Sequence, residues 1–283
     1  MEYVKLSNGV EMPKITFGVL SLKTQEAMDS CISTAWQSGF TAFDNGYRYY
    51  NEREFGNALH NLNIPRKDVF ITDKSRMLRH QFDDAIDTVY SQLKSIQTSY
   101  FDLYLIHWPQ PAKPPLYLQA WSAYEKLYGD GVLRAIGISN FFVPQMEKLL
   151  EVAKIVPMVN QLQINPYYYN KEVIDFCQSH GIQVQAWWPL GGAENSCLKD
   201  EKLIPIAAKY GKSVAQVVLR WHIQHNIIPN PGSTNPDHVK ELIDIFDFAL
   251  TEEEMATIDG LNTGIGKMPR GRHYDPENFP MMW

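Results

Sequence analysis

The chain has 283 residues, 45% of them hydrophobic, and a net charge of −6 with its basic residues dispersed. That is enough apolar material for one barrel-sized domain or two smaller ones, and it leaves no electrostatic footprint for nucleic acid. No run of about 18 apolar residues occurs, the N-terminal MEYVKLSNGVEMP lacks a basic start, and Cys31, Cys177 and Cys197 show no CxxC spacing. A cytoplasmic protein is therefore expected, neither exported nor membrane-inserted, with thiols that serve packing.

In chain order, residues 3–12 alternate apolar and polar around Ser7-Asn8-Gly9, which predicts a hairpin. From there strand-like and helix-like patterns alternate. The spacing predicts strands over 14–19, 40–44, 69–72, 101–107, 132–138, 158–164, 182–187 and 226–228. Helical patterns follow at 24–36, 52–62, 82–96, 118–128, 144–153, 171–180, 214–225 and 237–245. Helix-length crossovers imply parallel neighbours, and eight such units close a (β/α)8 TIM barrel. No Pro/Ser-rich linker interrupts them, so residues 1–283 are expected to form one domain. A further helix over 251–261 opens with the capping box Thr251-x-x-Glu254. The Gly- and Pro-rich tail, 262–283, is expected to cross the barrel mouth. The stretch 188–203, with Gly191-Gly192-Ala193, reads as a loop that could close over a ligand.

In such a barrel, chemistry sits at the C-terminal ends of the strands. Strand two ends in Asp44, with Tyr49 a few residues on; strand three ends in Asp73-Lys74 and strand four in His107-Trp108-Pro109. A tyrosine near its reference pKa of about 10 is a poor proton donor at neutral pH. A neighbouring ammonium favours the phenolate and is expected to lower that value, while a carboxylate paired with the lysine holds it charged and aimed. A histidine alongside can hydrogen-bond a carbonyl oxygen. The set suits protonation of a carbonyl oxygen as it gains negative charge. No metal-ligand cluster is evident in the sequence, and the residues themselves do not name a reductant.

FDNGYRYYNE, FITDK, DLYLIHWP, GVLRAIGISNF, VNQLQINPY and AWWPL together resemble the aldo-keto reductase family. The likeness covers about residues 3–280 in the family's order, and is nearest to bacterial members of the diketogluconate-reductase type. It implies a reductase that takes hydride from NADP(H) or NAD(H) and acts on a small-molecule carbonyl as a monomer. Tyr49 would be the general acid, Lys74 and Asp44 would tune it, and His107 would orient the carbonyl. For the cofactor the resemblance implies Ser139, Asn140 and Gln161 on the carboxamide and Trp187 against the ring. Pro189, Leu190, Ser233, Thr234, His238 and Glu241 would line the rest. Leu20 and Trp108 would wall the substrate pocket. No GxGxxG follows a strand, as suits a barrel that binds its cofactor extended.

The chain departs from the family in three places. The phosphate-binding Pro-Lys-Ser and Pro-Glu-Arg read Pro231-Gly232-Ser233 and Pro236-Asp237-His238. Losing two cations should cost NADPH charge-assisted hydrogen bonds of roughly 1.5–3 kcal/mol each, so NADH is expected to compete well unless a cation such as Lys240 substitutes. Arg48 replaces an apolar residue and Arg76 a common Trp. Both arginines favour an anionic substrate such as a keto acid or keto-sugar, unless Arg76 pairs with Asp73 and Arg48 with a loop acid. Gln163 and Asn165 stand where the family often has Glu and His, with no functional account from sequence. Two alternatives stay open: a non-catalytic cofactor- and partner-binding member of the fold, and a Schiff-base aldolase using Lys74.

Overall fold

The computed structural model describes residues 1–76, 78–110, 115–192, 196–268 and 272–273. It opens with an antiparallel hairpin, β1 (Tyr3–Lys5) and β2 (Glu11–Pro13), in which Tyr3 stands opposite Pro13. Asn8 at its turn donates to the Arg134 carbonyl at 2.9 Å. Arg134 precedes a barrel strand, so the hairpin caps the N-terminal ends of the strands, with Leu6 and Met12 buried.

Eight parallel strands follow: β3 (Phe17–Gly18), β4 (Ala42–Asp44), β5 (Phe70–Lys74), β6 (Leu103–Ile106), β7 (Ile136–Ser139), β8 (Val159–Gln163), β9 (Gln183–Trp187) and β10 (Ile227–Asn230). Each pairs with the next in sequence. The Thr16 N–H donates to the Pro229 carbonyl at 3.1 Å and Gly18 N–H to Pro231 at 2.8 Å, joining β3 to β10. The sheet is thus a barrel, as the alternating pattern predicted. Pro229 has no N–H to give, and its carbonyl alone serves this junction.

The helices are α1 (Gln25–Gln37), α2 (Glu52–Asn61), α3 (Phe82–Ile96), α4 (Tyr117–Gly129), α5 (Val143–Leu150), α6 (Lys171–Ser179), α7 (Leu203–Tyr210), α8 (Val214–Gln224), α9 (Pro236–Leu242) and α10 (Glu252–Asp259). Their apolar faces close a continuous core over the outer side of the sheet. No helix among the described residues is long and apolar enough to cross a membrane.

Three expectations shift. The first strand shrinks to two residues, because Lys14 bonds back to Glu2 and the chain reaches the barrel only at Thr16. The eighth runs two residues further, to Asn230. Helix α7 falls where no helix was predicted: Pro205 sits in its first turn, where the missing N–H has no intrahelical partner to lose. The capping box of α10 forms as predicted: the Glu254 N–H donates to Thr251 Oγ1 at 3.3 Å and the Thr251 N–H donates to Glu254 Oε2 at 2.8 Å. After α10 the chain returns to the mouth, where Thr263 N–H donates to the Tyr167 carbonyl at 3.0 Å. A two-stranded hairpin, β11 (Lys267–Met268) and β12 (Arg272–His273), follows. The rest of the tail, 274–283, lies outside the described residues, as does Ala193 of the Gly-Gly-Ala stretch.

Candidate active site

Asp44, Tyr49, Lys74 and His107 meet at the C-terminal mouth, each placed by a different local device. Asp44 is the last residue of β4 and Lys74 the last of β5, so their side chains enter from neighbouring strands. Tyr49 closes a single 3-10 turn, Tyr47–Tyr49, held by its N–H to the Gly46 carbonyl at 2.8 Å. His107 follows β6 directly, its N–H donating to Ser75 Oγ at 3.1 Å.

The lysine is the centre of this group. Lys74 is fully buried, and its ammonium is ion-paired with Asp44. It also donates to the Asn45 carbonyl at 2.7 Å and to the Tyr49 hydroxyl at 3.0 Å. That hydroxyl lies 3.5 Å from Asp44 Oδ1. The second Asp44 oxygen accepts from Gln161 Nε2 at 2.7 Å, and Gln161 in turn meets Gln185, which reaches Thr16. A polar chain therefore runs across the barrel interior from β5 to β3. Burial acts to lower the Lys74 pKa, but Asp44 and Tyr49 outweigh it and hold the ammonium above its ordinary range.

The Tyr49 expectation is corrected. The Lys74 ammonium does pull the phenol down, but burial pushes harder, and the phenol rises to about 12. Tyr49 is a neutral hydroxyl beside a permanent cation. His107 moves the opposite way: burial first, then Lys74 and Arg48, hold it well below the usual imidazole range. It is a neutral ring, 6.2 Å from the Tyr49 ring and nearly perpendicular to it.

These groups open into a cavity of about 870 Å³, within the size range of small-molecule and cofactor sites. Its walls include Leu20, Arg48, Trp108, Ser139, Asn140, Gln161, Trp187 and Leu190, all expected, together with Gly232. The cation expectation splits: Arg48 is in the wall, while Arg76 is exposed with its guanidinium 4.9 Å over the Tyr47 ring, pairing with neither Asp73 nor the cavity. Pro189 is buried behind the wall, and Ser233, Thr234, His238 and Glu241 stand outside it, on the loop after β10 and on α9. Lys240, the possible substitute cation, faces Asp237 at 3.2 Å on the surface.

A nicotinamide's carboxamide needs both donors and acceptors, and Ser139, Asn140 and Gln161 in the wall are residues that carry both kinds of group. Gln161 spends both bonds of its amide nitrogen on Asp44 and Gln185, which leaves Oε1 as its acceptor. Asn140 is held by Trp187, whose indole N–H donates to Oδ1 at 2.9 Å, and it donates to the His107 carbonyl at 2.9 Å. These residues fit the group. Trp188, Ser196 and Leu198, from the 188–203 stretch expected beside a ligand, also line the cavity, while sequence reasoning missed Ser21 and Asn230. It missed Gln185 in the polar chain, although Gln183 and Gln185 alternate along β9 and the pattern was there to read. Asn165 has a structural account: its Oδ1 accepts the Tyr167 N–H at 3.1 Å, shaping the turn after β8.

Comparison with known proteins agrees with this geometry. The model of the Aldo/keto reductase family matches residues 14–263. Among characterised relatives, glyoxal reductase of Bacillus subtilis is 41% identical over 92% of both chains. Morphine 6-dehydrogenase of Pseudomonas putida is 36% identical, covering 98% of this chain and 96% of that one. Among solved structures, an aldo-keto reductase from Bombyx mori in complex with NADP superposes with a TM-score of 0.86 at 31% identity, covering 93% of each chain. An aldo-keto reductase from a Medee basin deep-sea metagenome library reaches 0.90 at 35% identity, covering 94% and 97%. With its eight-stranded barrel and its Asp-Tyr-Lys-His mouth, this chain belongs to the aldo/keto reductase family of oxidoreductases.

Proposed function

We propose that the protein reduces an aldehyde or ketone to an alcohol, with Tyr49 as the proton donor to the carbonyl oxygen. The observation that carries this is the Tyr49 hydroxyl, 3.0 Å from a fully buried ammonium that is itself pinned by a carboxylate. Ser139, Asn140, Gln161 and Trp187 would hold a reduced nicotinamide, which would supply the hydride for the carbonyl carbon. The chain's own residues do the rest. His107, neutral, donates a hydrogen bond that orients the carbonyl. As negative charge gathers on the oxygen, Lys74 stabilises it through the phenol, and Tyr49 gives up its proton next to that cation. Asp44 keeps Lys74 charged and aimed. Two relatives' names, glyoxal reductase and methylglyoxal reductase of Escherichia coli, refer to carbonyl reduction and support the reading.

The finer parts of the reading rest on the departures. NADH serves as well as NADPH, because Gly232 and His238 stand where cations would grip a 2′-phosphate. Arg48 in the wall beside His107 favours a carbonyl compound that carries an anionic group. A keto acid should therefore turn over with higher kcat/KM than a neutral aldehyde of equal size. We take residues 1–283 as one domain acting as a cytoplasmic monomer.

The test is Tyr49→Phe. Without the hydroxyl, kcat should fall by roughly 10²–10⁴-fold while quenching of Trp emission by NADH and NADPH is kept. Retained turnover in this variant would remove Tyr49 from the chemistry, whereas a wild type that binds cofactor but reduces no carbonyl would bring the non-catalytic or aldolase alternatives forward. Borohydride trapping on Lys74 separates those two.

A further inference from the structure

A histidine that works through one ring nitrogen is commonly fixed by a hydrogen bond at the other. His107 has no such bond: its Nδ1 is buried without a partner among the described residues, and the ring meets Tyr49 edge-on. What aims the imidazole therefore reaches it through the backbone. Neither peptide group of His107 has a backbone partner among the described residues, and two side chains have taken their place.

The first is Ser75, which directly follows β5. Its N–H donates to the Leu105 carbonyl at 2.9 Å and so continues the β5–β6 ladder. The next rung of a parallel ladder would bring the His107 N–H to the Ser75 carbonyl. That N–H goes instead to Ser75 Oγ, at 3.1 Å. A hydroxyl in this place lets the chain leave the strand while the N–H stays satisfied. Ser75 is fully buried, and its Oγ lies 3.2 Å from Nε2 of His80, which is buried ahead of α3. Burial pushes His80 down to about 4, so its ring is neutral. Having received one hydrogen, Ser75 has its own to give to that ring. The second side chain is Asn140, whose Nδ2 donates to the His107 carbonyl at 2.9 Å while Trp187 holds its Oδ1. Ser75 follows β5 and Asn140 follows β7, so His107 is gripped from both sides of β6.

We propose that Ser75 is a positioning residue for His107: backed by His80, it holds the N–H of that residue while Asn140 holds the carbonyl, and the imidazole is aimed through its backbone. This rests on the reading of His107 as the group that orients the substrate carbonyl. Ser75 does not line the cavity and acts only through His107. Small displacements matter here, because a misplacement on the order of 1 Å can cost about a hundredfold in rate.

The test is a histidine-ring NMR spectrum of the full chain, labelled with nitrogen-15 and free of ligands, with the His107 signals assigned by their absence in His107→Gln. Ser75→Ala should shift and broaden these signals, and Ser75→Thr, which keeps the hydroxyl, should leave them in place. Ser75→Cys, with a weak acceptor for a good one, should fall between alanine and wild type, and serves if the alanine variant does not fold. In turnover of pyruvate or methylglyoxal, Ser75→Ala should lower kcat by roughly tenfold with the Kd for NADH unchanged. In the His107→Gln background the same change should cost no further rate. Ring signals unmoved in both Ser75→Ala and Ser75→Cys overturn the clamp. A rate loss as large without His107 as with it makes Ser75 merely structural and overturns the positioning. A wild type that turns over no carbonyl removes the reductase reading and the catalytic purpose of the clamp, while the ring spectrum still decides the clamp itself.

Discussion

At the end of β5, Lys74 is sealed from water and its ammonium meets Asp44, Asn45 and Tyr49 from two other segments. After β10 the polar groups hold mostly to near neighbours: Ser233 to Asn235, Asn235 to Asp237, and Lys240 to Asp237. The first arrangement is long-range and buried, the second local and exposed. A buried pair cannot lose one member without stranding the other, whereas exposed pairs contribute little. The mouth should therefore respond to substitution as a unit, and the loop residue by residue.

The sharpest way to break this contrast is Lys74→Met. It leaves Asp44 as an uncompensated buried charge, and urea denaturation should show a loss of about 3–5 kcal/mol. The double variant Asp44→Asn/Lys74→Met should recover part of it, because the stranded carboxylate is gone. A single variant as stable as the wild type would mean that water reaches Asp44, and the mouth would not be the sealed unit described above.

Legibility in the sequence follows the same division. The barrel and the four mouth residues could be read because strands buried on both faces are short apolar runs, and a charged residue closing such a run stands out, as Lys74 does in FITDK. The sign of the Tyr49 shift could not be read. It depends on how far burial outweighs one ammonium, which no spacing reports. The separation of Arg48 from Arg76 was equally hidden, since it turns on the side chain of Tyr47 beneath one of them. Asp73 was a possible partner for Arg76 in the sequence, whereas it is fully buried beside Tyr104 on the neighbouring strand.

Gly232 is the exception within the loop, and it sharpens the comparison. A Cβ at this position would lie 2.5 Å from the Gly18 carbonyl oxygen, at the junction that closes the barrel. The absent lysine is therefore tied to packing between β3 and β10. Gly232→Ala should cost about 1–3 kcal/mol in thermal or urea unfolding, and Gly232→Lys should lose stability without gaining NADPH affinity. A lysine variant that folds as well as the wild type and binds NADPH more tightly would show that the junction yields, and that the glycine is not a constraint.

His238→Arg should behave in the opposite manner. The side chain is exposed on α9, outside the cavity wall, so a larger residue meets no packing barrier. An arginine fork grips a phosphate through two parallel charge-assisted bonds, while an imidazole has no such fork. Exposure discounts the gain, and Asp237 beside it, paired only loosely with Lys240, competes for the new cation. The expected outcome is a roughly tenfold tighter NADPH, about 1.4 kcal/mol, with NADH unchanged and stability within about 0.5 kcal/mol. Because the new contact is a surface charge pair, the gain should shrink as salt is raised past a Debye length of about 8 Å. Paired titrations at low and high salt check this. If the wild type already binds NADPH far more tightly than NADH, another residue grips the phosphate, and the loop after β10 is not where cofactor choice is made.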